Sequence, residues 1–75
     1  MRILLVEDEK RLADALEYII KKNHFAVDVA YDGISGQDMA ESGIYDLIIL
    51  DRMLPGRDGL DILRHIRAQG SKVPV

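Results

Sequence analysis

Ile3-Leu4-Leu5-Val6-Glu7-Asp8, near the start of the chain, and Leu47-Ile48-Ile49-Leu50-Asp51, past its middle, are the two stretches that decide the fold. Each holds four apolar residues without alternation and is closed by acid. Such a run reads as a strand covered on both faces, the habit of parallel sheets; a half-exposed strand would alternate. Parallel neighbours need long crossover connections, usually helical. From Arg11 to about Lys22 the period changes accordingly. Leu12, Ala15, Leu16, Ile19 and Ile20 recur at helical spacing and are expected to face the core. Lys21 and Lys22 suit the negative end of a helix dipole, and Asn23 is a fitting stop.

Phe25 to Ala30 alternates around Asp28 and reads as an edge strand, broken by Asp32-Gly33. Residues 34–42 read as a second helix. Ile34, Met39 and Ala40 are expected toward the core, Gly36 and Ala40 permit close packing, and Gly43 is the expected stop. Beyond Asp51, Pro55 and Gly56 fit the central positions of a type II turn. Asp58 fits the N-cap of a third helix carrying Leu60, Ile62, Leu63 and Ile66, and Gly70 ends it. Val73-Pro74-Val75 reads as the opening of a fourth strand. Strand and helix alternate three times, which predicts an α/β layered sandwich with a parallel sheet and right-handed crossovers. Residues 1–75 make at most one small domain, and hold three strand–helix units with only the start of a fourth strand, the N-terminal part of a larger layout of this kind.

Composition narrows the function. With 75 residues, such a domain buries only about 60% of its unfolded surface. The chain is 48% hydrophobic and 31% charged, which argues against disorder. A net charge of −3 with no basic stripe leaves no nucleic-acid footprint. The absence of cysteine excludes disulfides and thiolate metal sites, and fits a reducing cytosol. Apolar runs of four residues fall far short of the roughly 18–20 that span a membrane. A cytoplasmic location is the default expectation.

In open parallel sheets, ligands bind beyond the carboxyl ends of the strands. Glu7 and Asp8 end the first strand and Asp51 the third; neighbouring strands lie roughly 4.8 Å apart, so the acids would converge. Like charges that close repel unless a hard cation offsets them, and magnesium suits a site of a few carboxylates, water and phosphate oxygens. A plainer account exists for single acids: Asp8 or Glu9 could simply cap the first helix. It serves Asp51 less well, because the next helix begins some seven residues later. Competing phosphate sites fail at particular residues. A dinucleotide fold or P-loop wants glycines where Glu7-Asp8-Glu9 stands. An aspartyl-nucleophile phosphatase usually wants a second acid two residues after the nucleophile, where this chain has Met53.

Val6-Glu7-Asp8-Glu9, followed 43 residues after Asp8 by Asp51-Arg52-Met53-Leu54-Pro55-Gly56-Arg57-Asp58-Gly59, closely resembles the receiver domain of bacterial two-component response regulators. The nearest likeness is to the class whose receiver precedes a winged-helix DNA-binding domain. The resemblance covers the whole chain in order. It implies a flavodoxin-like receiver fold, seen here up to the third helix, and a signalling module that is not an enzyme. It further implies that Asp51 accepts a phosphoryl group from a sensor histidine kinase. Asp8 resembles the direct ligand of a Mg²⁺ (or Mn²⁺) ion and Glu7 a ligand through water. Met53 matches the position whose backbone carbonyl completes the metal shell.

Lys10, His24 and His65 lie outside this pattern and are expected to be solvated surface residues. The exposed side of the first helix, around Arg11 and Asp14, resembles a kinase-facing surface, although a solvated helix face is the simpler account. The family fold has about five strand–helix units, and its phosphate-contacting Ser or Thr and Lys follow the fourth and fifth strands, beyond Val75. DNA would be reached only through an output domain outside this chain. The apolar third strand, left near an open edge, is expected to favour self-association. Two alternatives remain beside the receiver reading: an inactive assembly or folding fragment, and an aspartyl-nucleophile phosphatase.

Overall fold

The computed structural model describes residues 1–75. The elements are β1 (Arg2–Val6), α1 (Lys10–Lys22), β2 (Ala26–Ala30), α2 (Gly33–Ala40), β3 (Leu47–Leu50) and α3 (Gly59–Ala68). The sheet is wholly parallel, in the order β2-β1-β3. Val6 is opposite both Ala30 and Leu50, so the three strands end level with one another. From β1 the chain steps outward to β2 and then back past β1 to β3. Right-handed crossovers in opposite directions place α1 and α2 on opposite faces. The alternation of strand side chains follows suit. Leu4, Val6, Ala30 and Ile48 cluster with Ala40 of α2 and Ile66 of α3. Ile3 and Leu5 point the other way and are buried on the side of α1, whose buried residues are Ala13 and Ile20.

This asymmetry revises three expectations about burial. With two helices on one face and one on the other, β3 is not covered on both sides: Ile48 is fully buried, whereas Ile49 is 37% exposed. In α1, Leu12, Ala15 and Ile19 are exposed and the buried line runs instead through Ala13 and Ile20, with Leu16 half-buried. α1 packs chiefly against β1 and β2, and Leu12, Ala15 and Ile19 lie on the side turned away from them. Ile34 is likewise exposed, because it leans outward over the Pro55-Gly56 turn, where a Cβ on Gly56 would press against its side chain.

Gly36 and Ala40 do pack closely: both are buried, and a Cβ on Gly36 would collide with Val6. α2 runs from Gly33 to Ala40, capped by Asp32, which accepts from the Ser35 N–H at 2.7 Å; it ends before Gly43, which adopts φ 75° in the turn beyond. Asn23 caps the end of α1, and Gly70, with φ 89°, follows α3. Val73 to Val75 do not form a regular strand. They run beside β3 all the same, since Ile48 donates its N–H to the Pro74 carbonyl at 2.9 Å.

Candidate functional site

The sheet hydrogen bonding carries on one residue past the strands. Glu7 donates its backbone N–H to the Ala30 carbonyl at 3.0 Å, and Asp51 donates to the Val6 carbonyl at 3.0 Å. Those two bonds fix Glu7 and Asp51 side by side at the ends of neighbouring strands. Glu7 is 8% exposed, Asp51 half-buried and Asp8 exposed. Each offers a carboxylate oxygen within 4.8 Å of the others.

Capping does not explain these acids. Glu9 is the N-cap of α1: its carboxylate accepts from Arg11 at 3.3 Å and from Leu12 at 2.9 Å. That leaves Asp8 outside the helix cap. Asp51 accepts only the local Met53 N–H, at 3.2 Å, while Asp58 caps α3 through Leu60 at 2.8 Å. Met53 itself is 83% exposed, so its side chain has no packing role.

The loop between β3 and α3 is held by backbone. Gly33 at the start of α2 donates to the Pro55 carbonyl at 2.9 Å, and Gly59 donates to the Arg52 carbonyl at 2.9 Å. Gly56 has φ 83°, the value that the third position of a type II turn requires. Gly59 is needed for another reason: any Cβ there would overlap the Asp51 carbonyl oxygen.

Electrostatically the pocket is strained. The Glu7 carboxyl is held above the usual carboxylate range, first by burial and then by the neighbouring Asp51 and Asp8 carboxyls; the Glu9 N–H, donating at 3.2 Å, works against the shift. Several hard anionic oxygens, one of them buried and resisting ionisation, are the donor set that a divalent cation would stabilise. The residues therefore fit a hard-cation site.

The remaining sequence candidates lie apart. Lys10 is exposed, 3.6 Å from Asp14, with its ammonium 5.4 Å from the centre of the Tyr31 ring. His24 follows the end of α1 with φ 66°. His65 is not an ordinary surface residue, as expected, but is half-buried on α3 against Glu41 of α2. A further polar group had gone unnoticed: the Tyr45 hydroxyl donates to Asp28 at 2.7 Å, and Asp28 also takes the Arg2 guanidinium at 3.2 Å. Burial, with Asp28 beside it, pushes the Tyr45 hydroxyl up to about 12.

Fold and site together define a small α/β module with a carboxylate pocket at the ends of parallel strands. The family described as "Response regulator receiver domain" matches residues 3–75, and the chain belongs to it. It is a receiver module of the two-component type. Among curated relatives, the transcriptional regulatory protein DltR of Streptococcus agalactiae is 43% identical over 75 residues, all of this chain and 34% of that protein. The response regulator ArlR of Staphylococcus aureus is 53% identical over 70 residues, 93% of this chain and 32% of that protein. The chain thus spans about a third of the length of these relatives. Among solved structures, the receiver domain of the Francisella response regulator 1452 superposes with a TM-score of 0.94 at 30% identity, over 99% of this chain and 61% of that one. The response regulator TrrA of Thermotoga maritima, solved in complex with Mg²⁺-BeF, gives 0.84 at 35% identity over 91% and 59%.

Proposed function

We propose that Asp51 is the phosphoacceptor of this receiver and that Glu7, Asp8 and the Met53 backbone carbonyl hold a divalent cation, Mg²⁺ or Mn²⁺, beside it. The observation that carries the reading is the convergence of three carboxylates, none of them a helix cap or in an ion pair, at the ends of adjacent parallel strands. Asp8, the exposed acid, is assigned as the direct ligand, and buried Glu7 acts through water. The ion, when bound, neutralises charge on the phosphoryl oxygens.

The chain's own residues supply the nucleophile and its placement. An Asp51 carboxylate oxygen attacks phosphorus in a phosphohistidine, forming a P–O bond while the P–N bond breaks; the imidazole leaves as the protonated base. Asp51 can do so because its backbone is fixed by Val6 and Gly59 while one face of its side chain reaches solvent. The donor is a sensor histidine kinase, the setting the cytoplasm, and DNA is contacted only by an output domain outside these residues. No helix is long and apolar enough to cross a membrane.

The test uses acetyl phosphate and Mg²⁺ with mass spectrometry of the intact chain. A labile gain of one phosphoryl group is expected, absent in Asp51→Asn and much reduced in Asp8→Asn. An adduct that persists in Asp51→Asn overturns the assignment, and turnover of many phosphates per chain would favour a phosphatase. A second proposal concerns association. The outer edge of β3 makes one backbone hydrogen bond to the following segment, at Ile48, and beside it Leu50, Leu60, Leu63 and Val75 line an open cleft of about 240 Å³. Residues 1–75 are expected to self-associate through this edge. A compact monomer in sedimentation at micromolar concentration would sink that idea.

A further inference from the structure

α2 and α3 lie side by side on one face of the sheet, over an apolar cluster that includes Ala40 and Ile66, and a polar contact joins them at the rim of the seam. There the His65 ring of α3 meets the carboxylate of Glu41, the residue that caps the end of α2. The Nε2 atom is buried and in close contact with a Glu41 oxygen, but the ring N–H is not aimed along the contact, so this is an ion-pair contact and not an aligned hydrogen bond. The same Glu41 oxygen accepts from the Gln37 amide at 3.2 Å, and the Gln37 carbonyl oxygen is buried without a partner. These two atoms, His65 Nε2 and Gln37 Oε1, are the chain's buried side-chain polar atoms without a hydrogen bond, and both belong to residues touching Glu41.

With no aligned hydrogen bond, a neutral ring leaves this buried nitrogen unsatisfied, whereas a charged imidazolium is attracted to the carboxylate whatever its N–H direction. The site also lies in the last turn of α3, where a helix terminus favours a cation. We propose that His65 and Glu41 form a proton-dependent latch across the α2–α3 seam, closed when the imidazole is charged and slack when it is neutral. Other charges do not duplicate it. Asp38 on α2, Asp61, Arg64 and Arg67 on α3, and Lys72 beyond it are all exposed, and none lies within ion-pair distance of His65. Asp61 and Arg64 satisfy each other at 3.6 Å. From the strands beneath, the seam meets apolar Leu4, Val6 and Ile48. The latch needs a charged imidazole and an ionised carboxyl together.

The consequence reaches beyond the seam. α2 is tied at its start to the β3–α3 loop through Gly33 and Pro55, and at its end to α3 through this contact. The inference does not depend on Asp51 being a phosphoacceptor.

A double-mutant cycle with His65→Gln and Glu41→Gln, by urea denaturation at pH 5.5 and 8, tests it. At pH 5.5 the coupling should change the unfolding equilibrium constant about 3- to 5-fold, as for a partly exposed ion pair, and at pH 8 it should vanish. His65→Arg, charged at both values, should retain coupling to Glu41 at pH 8. Coupling of equal size at both pH values, or none at pH 5.5 with the fold intact, overturns the proposal. If His65→Gln does not fold, Glu41→Gln alone decides: its loss of stability relative to wild type should be larger at pH 5.5 than at pH 8, and an equal loss at both refutes the latch.

Discussion

Replacing Asp51 with Asn should stabilise the folded chain when no divalent cation is present. Asparagine keeps the Oδ1 acceptor for the Met53 N–H and nearly the same shape, so the change removes charge and little else. Two full charges 4.8 Å apart repel by about 0.9 kcal/mol in water and about 3.5 kcal/mol at an effective dielectric of 20. Because Asp8 is exposed and Asp51 only half-buried, the low part of that range applies, and the expected gain is about 1–2 kcal/mol. In a chain of this size each kcal/mol moves the melting temperature by roughly 4–8 °C. Mg²⁺ should narrow the gap: at ten times its Kd it adds about 1.4 kcal/mol to a chain that binds it, and less to the Asn variant. Urea denaturation followed by circular dichroism, in EDTA and then in MgCl₂, reads both effects. The reasoning fails if Asp51→Asn is destabilised in EDTA, or if Mg²⁺ stabilises both proteins equally.

Glu7 provides a pH test. Its folded-state carboxyl binds a proton more tightly than in the unfolded chain, so its contribution is fully present below the ordinary carboxylate range and is lost as pH rises through the raised value. In EDTA, wild-type stability should fall relative to Glu7→Gln as pH climbs from about 4.5 toward neutrality; parallel curves would contradict this. Glu9→Ala should cost about 1 kcal/mol as a lost N-cap, whereas Asp8→Ala, which relieves the same repulsion as Asp51→Asn, should not destabilise in EDTA and should remove the Mg²⁺ stabilisation, both measured by thermal melts. Gly59→Ala must push a Cβ into the Asp51 carbonyl and should destabilise by about 3 kcal/mol, visible as a melting temperature lowered by 10 °C or more. His24→Gly should stabilise by about 1 kcal/mol, since φ 66° strains any residue with a Cβ; unchanged stability would show that the unfolded-chain entropy of glycine cancels the relief.

The order and type of the six elements were legible because each depends on local signals: unbroken apolar runs for β1 and β3, helical spacing in α1 and α3, Asp58 and Gly70 at helix ends. So was the convergence of the three acids, since the ends of neighbouring parallel strands lie side by side before any contact is known. Burial was less legible. Leu12, Ile19 and Ile49 are apolar at the right spacing yet exposed, because a residue's period says which way it points and not whether anything lies there to cover it. Glu9, not Asp8, caps α1, a choice between adjacent acids that rests on backbone geometry. The His65–Glu41 and Tyr45–Asp28 pairs join residues 24 and 17 apart, and no spacing rule links them.

The β3–α3 loop begins and ends on backbone contacts that only glycine permits: Gly33 lies against the Arg57 carbonyl and Gly59 against that of Asp51. Between them Arg52, Met53 and Arg57 stand in solvent with no structural duty. Anchorage and display are thus carried by different atoms. The side chains of this loop are free to diverge toward new partners while the main chain keeps Asp51 where it is. A segment built this way can change what it is recognised by without retuning what it does.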